Sequence, residues 1–400
     1  MASISYSSPF ASLKSINLDE PRHPFRQTAW LLIATFSVLA AACGGGSSSV
    51  MNPPPPPSAK DALYVSTGLT PNSLLTFVFD TATGTFGSPT TIAGAPAGID
   101  TKVYPGSTFL YVSDFNSGSI FAYSIDRSTG ALTAVAGSPF SFPGHTGNGG
   151  PIAIDPAGKF LFNSNASGAI VSYTINSQTG FLTPGTAPVV NDSNQPIYLL
   201  VDPTGKFLLV SNHADSSGRN YSVFSIDSTA GVLTAVSGSP FTIGQNTGPQ
   251  QIVLNSNDSV LYAALSSSQQ VNALNFDSTT TGALTAFQGA PYPAQSMPTS
   301  VALLSSGQFL YAGNNGAGTV SQYSVNATTG ALTPGNILQV GNPTFLQIDS
   351  SGQFLIIVGA SSNSIFADKI DPTSGNITQG NMTPLPTGAG TRSIALVPLQ

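Results

Sequence analysis

Beyond residue 60 the chain alternates apolar and polar positions in short runs, broken by turn residues at regular intervals. Period-two alternation over about six residues predicts half-buried β-strands. The stretch Phe109 to Phe140, FLYVSDFNSGSIFAYSIDRSTGALTAVAGSPF, sets the pattern and returns with drift along the chain. FLLVSN recurs at Phe207 to Asn212, and YSVFSIDSTAGVLTAVSGSPF follows from Tyr221 to Phe241. FLYAGN recurs at Phe309 to Asn314, with VSQYSVNATTGALTPG from Val320 to Gly335. Weaker copies begin at Ala62, Phe160, Val260 and Phe354, so seven copies stand 45 to 53 residues apart. A period near 50 residues predicts propeller blades.

Each copy reads as four strands. In the copy around Phe160, Pro151 to Asp155 is a short apolar inner strand and Pro156-Ala-Gly-Lys159 a tight turn. Phe160 to Asn165 and Ala169 to Ile175 are the second and third strands. Asn176 to Gly180 is another turn, and a frayed outer strand starts at Leu182, where Pro184 suits an edge. Inner strands on this reading lie near Ile99, Ile152, Leu199, Ile252, Val301, Phe345 and Ile394.

The ends predict how the ring closes. The repeats open with Ala62-Leu-Tyr-Val-Ser66, which matches a second strand, and end with Arg392 to Pro398, which matches an inner one. The last segment therefore completes the first blade and leaves no open sheet edge. The expected fold is all-β: residues 61–400 form a seven-bladed β-propeller of four-stranded antiparallel blades, closed by the C-terminal strand.

Composition fits strands and narrows the partners. Only 7% of residues are charged, the net charge is -6, and no glutamate follows Glu20. Nothing basic is present to neutralise phosphates in number, which excludes nucleic acid as a partner. No phosphate loop or Gly-x-Ser-x-Gly elbow occurs, and no cofactor is expected.

Residues 1–42 read as a signal peptide: Arg22, His23 and Arg26 precede the apolar run Trp30 to Ala42. Leu39-Ala-Ala-Ala-Cys43 resembles a bacterial lipobox, which implies lipidation of Cys43, the one cysteine in the chain. Residues 43–60 follow as a tether, flexible over Gly44 to Ser49 and stiff over Pro53 to Pro57. The expected location is the bacterial cell envelope, outer membrane or cell surface, with membrane contact through the lipid alone.

The Phe109 to Phe140 stretch, with Asp-Pro-x-Gly-Lys turns at Asp155 to Lys159 and Asp202 to Lys206, resembles the lactonase-like seven-bladed propellers. That family includes 6-phosphogluconolactonase-type and muconate-cycloisomerase-type enzymes and shades into YVTN-repeat surface proteins. The resemblance covers residues 61 to 400 and implies the fold. For activity it implies a histidine just ahead of an inner strand, with a glutamate and arginines nearby. The aligned stretch here is Asn148-Gly-Gly-Pro-Ile-Ala-Ile-Asp155, without histidine at Gly150 or Pro151, and His145 stands a few residues earlier.

In a propeller, the blade-to-blade loops and the loops between second and third strands open on one face. His145, His213, Asp215, Arg219, Arg392 and Asp114 all fall there; Arg127, Lys159 and Lys206 fall on the other. His145 or His213 as a general base, with Arg219 or Arg392 holding an anion or oxyanion, would make a lactone hydrolase. Asp114 and Asp215 are candidate ligand-binding groups. The competing expectation is a non-catalytic module that presents this face to a protein, glycan or small ligand. No metal site is assigned. The aspartates opening Asp-Ser/Thr-x-x-Gly turns, Asp227, Asp277 and Asp371, read as Asx-turn caps. The third-strand aromatics Phe121, Tyr123, Tyr173, Phe224 and Tyr323 read as inter-blade packing.

Overall fold

Alternation becomes strand in every predicted copy. The computed structural model describes residues 59–67, 74–92, 94–143, 148–185, 190–192, 195–213, 219–243, 247–359, 364–380, 382–384 and 391–400. All belong to the unit Pro56–Gln400. The leader, Cys43 and the tether to residue 58 lie outside the described residues, as do His145 and Asp215. Among the described residues there is no helix.

The strands form seven antiparallel sheets. Their inner strands are Thr391–Pro398 in blade 1, then Gly98–Val103, Gly149–Ile154, Pro196–Val201, Pro249–Leu254, Pro298–Leu303 and Pro343–Ile348 in blades 2 to 7. These contain each of the seven sequence-predicted centres or adjoin it. In five blades the outer strand is split into two short pieces, whereas blade 6 carries an unbroken Leu332–Gln339. The expected closure is present: Thr391–Pro398 pairs antiparallel with Lys60–Thr67, with Val65 opposite Ile394. Arg127 reinforces the seam, because its guanidinium donates to the Pro398 carbonyl at 2.6 Å.

Blades join by a repeated contact. The turn between third and outer strands begins with Asp or Asn, whose carboxylate or amide oxygen accepts backbone N–H groups. Asp126, Asn176, Asp227, Asn326 and Asp371 all do this. The turn ends at a glycine with positive φ, such as Gly130 (76°), Gly180 (73°) and Gly375 (69°). Onto that glycine presses the first core residue of the preceding blade's second strand. Phe109 meets Gly180, Phe160 meets Gly231, Phe207 meets Gly282 and Phe309 meets Gly375. Phe354 of blade 7 meets Gly84 of blade 1, so the contact runs round the whole ring. Two residues along the same strands, tyrosine hydroxyls donate to the same glycines' carbonyls: Tyr64 to Gly130, Tyr111 to Gly180, Tyr262 to Gly330 and Tyr311 to Gly375, at 2.6 to 3.0 Å. Each such bond contributes about 1 kcal/mol.

The Asx turns expected at Asp227, Asp277 and Asp371 are therefore structural. Hydrogen bonds from the turn hold Asp227 and Asp371 below the usual carboxylate range, and the hydroxyls of Thr280, Thr281 and Thr279 do the same for Asp277. The third-strand aromatics pack between blades: Tyr123, Tyr173, Phe224 and Tyr323 are buried, and Phe121 packs on the same apolar clusters half-buried.

A built Cβ at Gly375 falls 2.3 Å from the Phe309 ring, whereas one at Gly94, at nearly the same φ, meets nothing within 4 Å. Gly375→Ala is therefore expected to destabilise by roughly 1–3 kcal/mol more than Gly94→Ala, the overpacking cost. Urea unfolding of the two variants measures the difference; equal losses would mean that backbone strain alone sets the cost.

Candidate functional site

The inner strands face one another around a central tunnel, and the ladder to each second strand slips by one residue near one end. The shift lies between Gly98 and Asp100, Pro196 and Tyr198, Pro298 and Ser300, Pro343 and Phe345, and at the positions flanking Arg392. Blades 3 and 5 shift over Gly149–Ile152 and Pro249–Ile252. A β-bulge leaves one residue unpaired and re-aims it. The residues so released are Ile99, Gly150, Ile197, Gln250, Thr299, Thr344 and Arg392, and all seven line one cavity of about 400 Å³ at the tunnel mouth.

Blade closure thus carries the C-terminal strand's Arg392 into the mouth as the one charged member of this ring. Its guanidinium lies 5.4 Å from the ring centroid of Phe115, which is 37% exposed. The other polar members are held from behind. Thr299 donates to the Pro343 carbonyl at 3.3 Å, Thr344 to the Val358 carbonyl at 3.0 Å, and the Gln250 amide to the Gly248 carbonyl at 3.3 Å. Blade 3 offers bare backbone: a Cβ at Gly149 would come 2.2 Å from the Asp114 carbonyl, and one at Gly150 would come 2.7 Å from the Ser164 hydroxyl. The packing leaves no room for a side chain at Gly150, one of the two positions where the family resemblance leads one to look for histidine, and Pro151 occupies the other.

Below the ring sits Asp100, 4% exposed. Its Oδ1 accepts from Thr101 N at 2.8 Å, Lys102 Nζ at 2.9 Å and the Ser393 hydroxyl at 3.2 Å. Its Oδ2 accepts from Ile152 N at 3.1 Å. One carboxylate therefore ties blades 1, 2 and 3 together at the tunnel wall. The Lys102 ammonium lies 4.6 Å from the Tyr198 ring centroid. Burial alone would pull Lys102 down; the Asp100 carboxylate and Tyr198 more than offset it, so the ammonium stays protonated above the usual lysine range.

The structure brings only part of the predicted constellation to the mouth. Arg392 is there. His213 is exposed, donates its backbone N–H to the Gln195 carbonyl at 2.7 Å, and does not line the cavity. Asp114 faces its own loop: its carboxylate accepts from Ala97 N at 2.7 Å, Ser117 N at 2.9 Å and the Ser117 hydroxyl at 2.6 Å. Arg219 starts the strand Arg219–Ile226, with its side chain outside the described residues. Among the described residues, no cluster of three or more His, Cys, Asp or Glu side chains could hold a metal. Sequence reading passed over Asp100, Lys102 and Tyr198. The available signal was an Asp and a Lys inside Gly98–Val103, a strand predicted to be an apolar inner one.

Elsewhere, burial and the neighbouring Asp202 push Asp258 up to about 6, and burial pushes Asp368 up to about 6. Neither lines the tunnel. Asp258 occupies the first turn of blade 5, at the end of the sheet away from the mouth.

Comparison with known proteins places this geometry. The sequence profile described as "Lactonase, 7-bladed beta-propeller" matches residues 57–194, 133–245, 186–297 and 221–391. Among solved structures, a periplasmic gluconolactonase of Pseudomonas aeruginosa aligns at 18% identity and TM-score 0.72, over 85% of this chain and 100% of its own. A candidate 6-phosphogluconolactonase of Bacteroides fragilis aligns at 21% and 0.69, over 85% and 98%. A protein from Lactobacillus plantarum aligns at 20% and 0.68, over 84% and 99%. No curated protein matches the chain.

Asp258 binds its proton more readily in the folded chain than in the unfolded one. The stability this contributes is fully present below about pH 4 and is lost as pH rises through about 6. Asp258→Asn should therefore gain stability relative to the native chain between pH 4 and pH 8, on the order of 1–2 kcal/mol. Urea midpoints at the two pH values check this; a pH-independent offset would place the titration elsewhere.

Proposed function

We propose, from the premise that the chain belongs to the seven-bladed lactonase β-propeller family, that it is a ligand-binding propeller. Its tunnel mouth takes a small polar ligand without turning it over. One observation carries this reading. The seven bulged residues that form the mouth supply one cation, three neutral hydrogen-bonding side chains and two isoleucines, with neither carboxylate nor imidazole among them. The carboxylate just beneath, Asp100, is already engaged by four donors. General-base activation of water needs a basic group with a free lone pair within reach of the substrate. Binding needs only oriented donors, acceptors and an apolar face, and Arg392 with Phe115, Gln250, Thr299 and Thr344 provides these.

A second reading, hydrolysis of lactones, is favoured by the family and by the Pseudomonas aeruginosa neighbour. Arg392 would then stabilise the oxyanion that forms at the ring carbonyl. Saturation-transfer NMR with a panel of sugar lactones and their open acids separates the two. The binding reading expects saturation transfer to at least one compound, weakened about tenfold or more in Arg392→Ala, with the lactone persisting at its uncatalysed rate. Lactone consumption by the native protein that collapses in Arg392→Ala would establish the hydrolase instead.

The same proposal places the propeller in the cell envelope, on a lipid at Cys43. The apolar run before the cysteine and the Gly/Ser and Pro tether after it support this placement. In a bacterial host the native chain should partition with membranes and take up labelled fatty acid. Cys43→Ser should lose both; equal membrane recovery of the variant would remove the anchor.

A further inference from the structure

Beneath the mouth lies a second space of about 420 Å³, walled by the lower halves of the inner strands. The two spaces share Tyr198, Gln251 and Phe345 in their walls. Lys102 lies three residues beyond the bulged Ile99 on the same strand, roughly 10 Å deeper by strand rise. Its side chain is 22% exposed, and that exposure opens into the lower space.

Lys102 has three N–H donors. Asp100 accepts one. Asp100 also holds two backbone N–H groups and the Ser393 hydroxyl, so the carboxylate stays satisfied if the ammonium shares itself with a newcomer. Opposite in chemistry stands Gln251, whose side-chain oxygen is buried and has no hydrogen-bond partner. A buried acceptor without a donor costs about 1–3 kcal/mol. The wall of the lower space therefore includes a cation with donor capacity left over and a glutamine whose buried side-chain oxygen lacks a donor. Few charged groups compete: among the described residues, besides Lys102, only Asp349 lines this space, and its oxygens accept from Phe354 N, Ser351 N and the Ser351 hydroxyl.

We propose that the lower tunnel is a second subsite, for an oxyanion that also carries a hydroxyl, a hydrogen phosphate or a hydroxycarboxylate. The anionic oxygen accepts from Lys102, and the hydroxyl donates to Gln251 Oε1 once that side chain turns its buried oxygen into the space. Tyr198 forms the wall behind the ammonium. This inference rests on the tunnel being a ligand site but is separate from the Arg392 mouth.

The test uses the full chain in detergent, with inorganic phosphate, glycolate and acetate as probes and NMR line broadening as readout. Phosphate and glycolate should broaden, and acetate, which lacks the hydroxyl, several-fold less. Lys102→Met should lose at least fivefold of the broadening, and Lys102→Arg should keep most of it. Gln251→Leu should erase the preference for glycolate over acetate, a readout that stands even if Lys102→Met folds poorly. Stronger broadening of phosphate identifies a phosphoryl group as the natural feature, and stronger broadening of glycolate a hydroxycarboxylate. Unchanged broadening in folded Lys102→Met overturns the subsite. So does loss in Arg392→Ala with full broadening in Lys102→Met, which would leave the mouth reading standing.

Discussion

The ring depends on one contact made seven times: a side chain at the head of each second strand seated on a turn glycine of the next blade. That seat exists only where the backbone passes with positive φ and no Cβ, because a built Cβ would fall 2.3 to 2.8 Å from the intruding side chain. The glycine in turn needs the Asx cap ahead of it, which satisfies the turn's N–H groups and fixes the reversal. Thus the Asp or Asn, the glycine and the second-strand side chain of the preceding repeat form one unit spread over two blades. Position 277 shows how tightly the unit is required. Its turn is one residue longer than the others, and three threonines close it onto the same carboxylate. Gly282 still arrives under Phe207.

With the blades locked at their outer ends, the inner strands can carry irregularity. A bulge in each releases one residue from the ladder. The cost in hydrogen bonds is tolerable because the second strand remains fully paired on its other side. The tunnel mouth is therefore chosen residue by residue without disturbing the core. Glycine at 150 fills the place that its neighbours fill with isoleucine, glutamine, threonine or arginine. A shared scaffold with a freely varied ring explains how a chain can match the family over most of its length and yet differ where chemistry would occur.

Blade number, inner-strand centres and closure by Arg392 to Pro398 were legible because each leaves a periodic mark: apolar alternation, Gly-ended turns and an orphan strand at each terminus. The Asx role of Asp227, Asp277 and Asp371 was legible for the same reason. The site was not. A bulge shifts the register by one residue without changing composition, so the apolar pattern does not distinguish the released Ile99 and Ile197 from the paired Val301. Attention to histidines on loops led to His213, which stays at the surface. Lys102 was hidden by its own strand, since an ammonium inside an apolar run reads as a surface residue until the ring brings Asp100 and Tyr198 against it. Arg392 could be placed at the tunnel mouth because closure fixed its strand.

A chain with so few charges makes those it places in the tunnel count for more. Exposed aspartates in the turns are screened by water and by salt over about 10 Å. A cation on a tunnel wall, faced by low-dielectric strands, acts through a medium that weakens it far less. Arg392 and Lys102 sit at two depths of the same passage, while the aspartate between them spends its charge on holding three blades together. Among the described residues, the passage holds as many carboxylates as cations, Asp100 and Asp349 against Arg392 and Lys102, and both carboxylates are saturated by hydrogen bonds from the surrounding strands and turns.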